Sequence, residues 1–216
     1  MNFKIIYDNE AESGFQSGWG FSCLVEIKDE KILFDTGWYV KVLIENLGRF
    51  GNRPDDIDIV FISHPHWDHI GGLTYLDGVD VELYVPESLS KNLKGELRNY
   101  YSLREIGGTE RIRKRIWTTG ELGNETKEQS LIIETGEGVV VVAGCSHPGV
   151  GKILSSASRF GDLYGFVGGM HSFDDYETLN DLSLIVPSHC TEKKDEIIDR
   201  FPNSLKGRAG LEMDIP

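Results

Sequence analysis

Apolar residues recur in short runs, alternating or continuous, separated by turn residues, which is the pattern of a strand-rich α/β chain. Phe3 to Tyr7, Phe21 to Ile27 and Lys31 to Phe34 read as antiparallel strands, the last running into Asp35-Thr36-Gly37. Over residues 38–49, Val40, Leu43, Ile44 and Leu47 share one face at helical spacing and Gly48 lies near the stop, so a helix is predicted there. Ile57 to Ile62 is an apolar run, broken only by Asp58, behind Pro54-Asp55-Asp56, the mark of a strand buried on both faces. The pattern weakens from Gly71 to Glu128. Val81 to Val85 is one clear strand, and the polar, basic stretch from Ser88 to Arg115 predicts a mobile lid or insertion at about 87–128. Ser130 to Glu134, the Gly136-Glu137-Gly138 turn and Val139 to Ala143 predict a hairpin of buried strands. Leu163 to Val167 and Leu184 to Pro187 follow as strands, each entered from a helical stretch (150–160 and 175–182), and 192–201 gives a last helix. The halves, roughly 1–85 and 115–216, each mix strands with helices. They predict two sheets packed face to face with helices outside, in one domain spanning 1–216.

Composition narrows the partners. At 39% hydrophobic and 26% charged residues the chain is too apolar for a disordered region. Its 35 acidic against 22 basic residues give a formal charge of −13, whose field repels polyanions, so no nucleic-acid partner is expected. A small anionic substrate remains compatible, because bound cations invert the potential inside a pocket. No apolar run approaches the roughly 20 residues that span a bilayer, so no membrane partner is expected. The N-terminus lacks the apolar region of a secretory signal, and Cys23, Cys145 and Cys190 form no C-x-x-C; both point to reduced thiols and a cytoplasmic location.

The candidate chemistry lies in the histidines. All six follow a predicted strand: His64, His66 and His69 after Ile57 to Ile62, His147 after Val139 to Ala143, His171 after Leu163 to Val167, and His189 after Leu184 to Pro187. Strand ends of such folds share an edge, so these side chains can converge. The run His64-Pro65-His66-Trp67-Asp68-His69 is H-x-H-x-D-H, imidazole plus carboxylate, the donor set of zinc, manganese and iron. Gly71-Gly72 directly after it permits close backbone packing.

This run resembles the signature of the metallo-β-lactamase superfamily, and KILFDTG at residues 31–37 is similar to that superfamily's hairpin ending in D-x-G. The strings WGFSCLVE, SHPHWDHIGGL, GCSHPGV, GGMH and PSHCTE resemble a narrower group, hydrolase-like proteins related to an archaeal dihydropteroate-type synthase. The resemblance implies an αββα sandwich of two mixed sheets with a dinuclear cleft at one sheet edge. It implies His64, His66 and His147 for one divalent ion, and Asp68, His69 and His189 for the other, with zinc expected first and manganese or iron also suited. Asp35 is then expected to brace the histidine loop from behind. One departure stands out. No histidine lies between residues 70 and 146, and the hairpin ends in Gly144-Cys145-Ser146-His147 where the superfamily has a bridging Asp. Either His147 replaces the missing imidazole, with Cys145 behind the ligands, or Cys145 itself joins them. His171 is the surplus histidine, expected to meet substrate or act as general acid.

No G-x-S-x-G and no G-x-x-x-x-G-K-[ST] occurs, which removes serine-hydrolase and P-loop readings. The expected reaction is hydrolysis of a small ester, phosphoester or cyclic amide by metal-bound hydroxide, with Asp68 holding metal and orienting the attack. A dihydropteroate-type transferase, whose metals clamp a diphosphate leaving group, and an iron-dependent redox enzyme are the alternatives. Trp19, Phe21, Trp38 and Trp67 offer stacking surfaces near the loop. Arg98 and Arg104, in the predicted lid, are the candidate contacts for a phosphorylated substrate.

Overall fold

Parity along the strands decides the architecture, because both faces of most strands are apolar. In the computed structural model, which describes residues 1–216 apart from residues 29 and 77, strands β1 (Asn2–Tyr7), β2 (Ser22–Ile27) and β3 (Glu30–Phe34) form an antiparallel meander. Helix α1 (Val40–Arg49) returns the chain to β4 (Ile59–Phe61), parallel to β3. A short helix α2 (Trp67–Ile70) and a 3₁₀ turn precede β5 (Glu82–Pro86). Then come α3 (Lys91–Leu97), β6 (Ser102–Ile106), β7 (Glu110–Arg113), β8 (Ile116–Thr118), β9 (Leu131–Glu134) and β10 (Val139–Ala143). Helix α4 (Val150–Ala157), β11 (Leu163–Gly169), β12 (Leu184–Ser188), α5 (Lys194–Arg200) and β13 (Glu212–Asp214) complete the order. The strands make two mixed sheets, ordered β13-β1-β2-β3-β4-β5-β6 and β12-β11-β10-β9-β8-β7.

Cys23, Val25, Ile32, Phe34, Ile59 and Phe61 of the first sheet face Val140, Val142, Val167 and Val186 of the second in one dry layer. The alternate residues Leu24, Leu33 and Val60 face outward and are covered by Leu43 and Leu47 of α1. Val139, Val141 and Ala143 are covered in the same way by Val150, Ile153 and Leu154 of α4 and by Ile197 of α5. A period of two with both parities apolar therefore builds the expected αββα sandwich, since a sheet buried on one face only would alternate. Among the described residues, no helix is long and apolar enough to cross a membrane.

The segment 87–128, expected as a lid or insertion, contributes strands to both sheets. Its strand β6 pairs in parallel with β5 from Glu82↔Ser102 to Pro86↔Ile106 and closes the first sheet, while the β7–β8 hairpin closes the second. The chain thus crosses between sheets through Gly107-Gly108. Ser90 caps α3 by accepting the Leu93 N–H at 3.2 Å, and Leu97 packs into the outer core. The charges that suggested mobility are matched locally. Lys94 and Arg98 bond to Glu105, Arg104 bonds to Glu82 at 2.9 Å, and Arg113 bonds to Glu30 at 2.7 Å and also to Glu82. Of the helix expected at 175–182 only a 3₁₀ turn, Tyr176–Leu179, forms, and β13, which pairs with β1, is additional.

Candidate metal centre

The loops that carry the histidines all open at strand ends. Asp35 follows β3, His64 to His69 follow β4, Cys145 to His147 follow β10, His171 follows β11 and His189 follows β12. Four of these turns pass through the left-handed region at a residue with a side chain: Asp35 (φ 53°), Ser146 (φ 62°), His171 (φ 49°) and His189 (φ 46°). Such a conformation costs on the order of 1 kcal/mol at each position and persists only where surrounding contacts enforce it. Gly144 is required for another reason. A Cβ there would stand 2.3 Å from Ser63 Oγ and 3.1 Å from His64 Nδ1, so only glycine lets β10 run beside the histidine loop.

Two sets of donor atoms meet at this edge. His64 Nε2 lies 3.1 Å from His66 Nδ1, which lies 3.3 Å from His147 Nε2. His189 Nε2 and His69 Nε2 lie 3.2 and 3.9 Å from Asp68 Oδ2. Within each set the donor atoms are all within 4.8 Å of one another. A tetrahedral zinc ion with bonds of about 2.0–2.1 Å to nitrogen sets its ligand atoms roughly 3.3–3.4 Å apart, so the spacing of the first set is that of a coordination shell. His189 Nε2 is buried and makes no hydrogen bond of acceptable geometry with the described residues, as expected of a lone pair reserved for a cation. The residues present therefore fit a divalent metal.

Hydrogen bonds behind the rings fix which nitrogen points inward. Asp35, fully buried, accepts from Ser63 N–H and Ser63 Oγ–H, both at 2.7 Å, and from His69 Nδ1 at 2.6 Å. Because the Ser63 hydroxyl donates to Asp35, it must accept from His64 Nδ1–H at 2.8 Å. One carboxylate thus sets the tautomer of two imidazoles and leaves both Nε2 lone pairs facing the cleft. Asn9 does the same for His189: its Oδ1 accepts from Gly20 N–H and from His189 Nδ1–H at 2.9 Å, and its amide donates to His189 O.

Electrostatics supports the same arrangement. Burial, with the neighbouring imidazoles, holds His64 well below the ordinary value and His147 at about 4, and burial holds His189 at about 4, so these rings are neutral near pH 7. Burial opposes a charge on His69, yet the Asp35 carboxylate outweighs it and raises that ring. Burial also acts against a charged Asp68, but the close His189 and His69 imidazoles hold it well below the usual carboxylate range. Asp68 is the anion of the centre.

Cys145 Sγ is 3.2 Å from His69 Nε2 and groups with His64 and His69, while His147 groups with His64 and His66. Glu128, which holds the 144–147 turn, was missed. Fully inside the protein, it accepts the backbone N–H of Gly144, Cys145 and Ser146 at 3.0 Å each on Oε1 and that of His147 at 2.9 Å on Oε2. Burial pushes its pKa up and these donors oppose that rise. Its one sequence signal was an acidic residue directly before an apolar strand pair, which the solvated reading of 87–128 absorbed.

His171 belongs to neither set of three. Its ring centroid lies 4.7 Å from that of His147, and it groups with Cys145 and His147 at the edge of the cluster. Arg98 and Arg104 are not brought there. Both are at least half exposed and committed to Glu105 and Glu82, and among the described residues no hydrogen bond or ion pair links them to the histidines.

A model of the metallo-β-lactamase superfamily matches residues 20–160. The chain is 26% identical to the 7,8-dihydropterin-6-methyl-4-(β-D-ribofuranosyl)-aminobenzene-5′-phosphate synthase of Methanocaldococcus jannaschii, covering 90% of each chain. It is 28% identical to an uncharacterised protein of the same organism, over 87% of this chain and 90% of the relative. It superposes on the crystal structure of Tm1679, a metal-dependent hydrolase of the β-lactamase superfamily, with a TM-score of 0.84 and 27% identity over 99% of this chain and 98% of that one.

Proposed function

Starting from the premise that the chain belongs to the metallo-β-lactamase superfamily, we propose that it is a dinuclear metal-dependent hydrolase acting on a small ester, phosphoester or cyclic amide. The observation that carries this reading is the pair of facing donor sets, His64/His66/His147 and Asp68/His69/His189, with every donor atom of a set within 4.8 Å of its partners. Divalent ions held there, zinc first on the nitrogen, oxygen and sulfur donors, supply a Lewis acid and water acidified toward neutrality. The chain's residues do the rest. The neutral imidazoles offer lone pairs without a proton having to leave, Asp35 and Asn9 keep them aimed, and Asp68 contributes the negative charge. His171, beside His147 at the rim, is placed to give a proton to the leaving group.

The test is metal content per chain after purification without added metal, beside turnover of a generic phosphodiester. Two ions per chain and measurable hydrolysis are expected; a chain that takes up no zinc, manganese or iron overturns the reading. Chelation should lower the melting temperature by on the order of 10 °C, because ligands that bind only the folded state add stability by mass action. Replacing His171 by Ala should leave metal content intact while turnover falls about 10²-fold. Loss of one ion in parallel with activity would instead make His171 a ligand.

A second reading, a dihydropteroate-type transferase, draws on the synthase from M. jannaschii. The same centre would hold a diphosphate leaving group while an electron-rich ring attacks. Supplying a diphosphate ester with and without an aromatic amine separates the two: hydrolysis alone supports the hydrolase, and amine-dependent coupling supports the transferase.

A further inference from the structure

Helix α2 and the 3₁₀ turn after it serve two places. Asp68 and His69 belong to the donor cluster, whereas Trp67 and Ile70 of α2 and Gly71 and Thr74 of the turn line a separate cavity of about 300 Å³ beside α3. Across that cavity stand Leu93 and Leu97, four residues apart on α3, and Tyr100 just beyond it. The lining is aliphatic and aromatic, with the Glu96 carboxylate as its charged member. Trp67 and Tyr100 are 56% and 54% exposed, so two large rings face the cavity's opening without being covered by the protein itself. Trp67 is also the residue between His66 and Asp68, which ties the cavity wall to the donor cluster through adjacent peptide bonds.

We propose that this cavity is a substrate-binding subsite for an uncharged aromatic ring, carried by the molecule whose reacting bond lies at the metal centre. A dry cavity of about 150 Å³ lined by aliphatic and aromatic side chains holds benzene, so the space here takes one or two fused rings. The Trp67 and Tyr100 rings provide stacking or edge contacts, and the leucines provide apolar contact. Glu96 disfavours an anionic ring substituent, since a second negative charge would lose its hydration beside a carboxylate. The assignment of the ring as part of a substrate rests on the hydrolase reading; the binding of the ring does not.

The test titrates the metal-loaded full-length chain with neutral 2-naphthol and with anionic 2-naphthoate, reading the Trp67 indole N–H in ¹H–¹⁵N spectra. Trp67→Phe identifies that signal among the indoles. 2-Naphthol should shift it and 2-naphthoate should bind at least tenfold more weakly, with Glu96→Gln narrowing the gap. Leu93→Trp, which fills the cavity from a half-buried position, should weaken 2-naphthol at least tenfold. If that variant does not fold, Tyr100→Ala at an exposed site replaces it, with the same expectation. In turnover, Leu93→Trp should raise KM for a 2-naphthyl ester and leave the methyl ester of the same acid unchanged. An unmoved Trp67 signal, or a folded Leu93→Trp that binds 2-naphthol like the parent, overturns the proposal. Because binding is read without turnover, a chain that binds the ring but hydrolyses nothing refutes the hydrolase reading and leaves the subsite standing.

Discussion

Asp68→Ala should release one metal ion per chain and reduce turnover by well over 10²-fold. Removing a residue behind the ligands typically costs 10–100-fold in affinity or activity, and Asp68 is proposed as a ligand itself. It is also the anion within the cluster, at 3.2 Å from His189 Nε2 and 3.9 Å from His69 Nε2. Without it, three or more cationic or neutral groups face one another around an ion with no compensating charge. His66→Ala should act on the other set, because His66 Nδ1 is the atom that both His64 and His147 approach. Elemental analysis checks both variants: each should lose one ion and keep the other more weakly. Unchanged stoichiometry in both would remove the assignment of these donors.

Glu128→Ala is expected to be the most destabilising single substitution at this edge. It leaves four backbone N–H groups of residues 144–147 without their acceptor in a buried place. Each buried donor left unpaired costs about 1–3 kcal/mol, and water in the vacated space recovers part of that, so a net loss of at least about 3 kcal/mol is expected. For a chain of this length that lowers the melting temperature by roughly 6–12 °C. Glu128→Gln distinguishes charge from hydrogen bonding. Its single oxygen can keep the donors of Gly144, Cys145 and Ser146, while its amide cannot accept from His147, so stability should be largely kept and metal affinity at the His147 set reduced. Calorimetry beside metal titration of both variants checks this; an Ala variant that melts with the parent would show that the turn holds itself.

The sandwich was legible because its strands are short, apolar and punctuated. Ile59 to Ile62 and Val139 to Ala143 are buried on both faces, and continuous apolar runs of that kind leave few alternatives. The ligand loops were legible for a related reason: six histidines after strands carry position as well as chemistry. Three things were hidden. Strand β6 presents Ser102, Arg104 and Glu105 outward, so its polarity read as a solvated segment, and only its pairing with β5 reveals a sheet edge. Glu128 owes its role to four main-chain donors, and no pattern of side chains announces a carboxylate held by backbone. Asn9 acts on His189 across 180 positions of chain, a contact that tertiary folding alone creates.

The left-handed turns at Asp35, Ser146, His171 and His189 have a consequence for engineering. Glycine accepts that backbone freely, so at His171 it would relieve strain while removing the proposed proton donor. A screen that rewarded thermal tolerance of the metal-free chain would therefore favour glycine at His171, whereas buried Asp35, Ser146 and His189 are held by hydrogen bonds that glycine would forfeit. Selection for robustness and selection for turnover pull against each other there at the level of one torsion angle, and libraries aimed at a hardier variant should hold position 171 fixed.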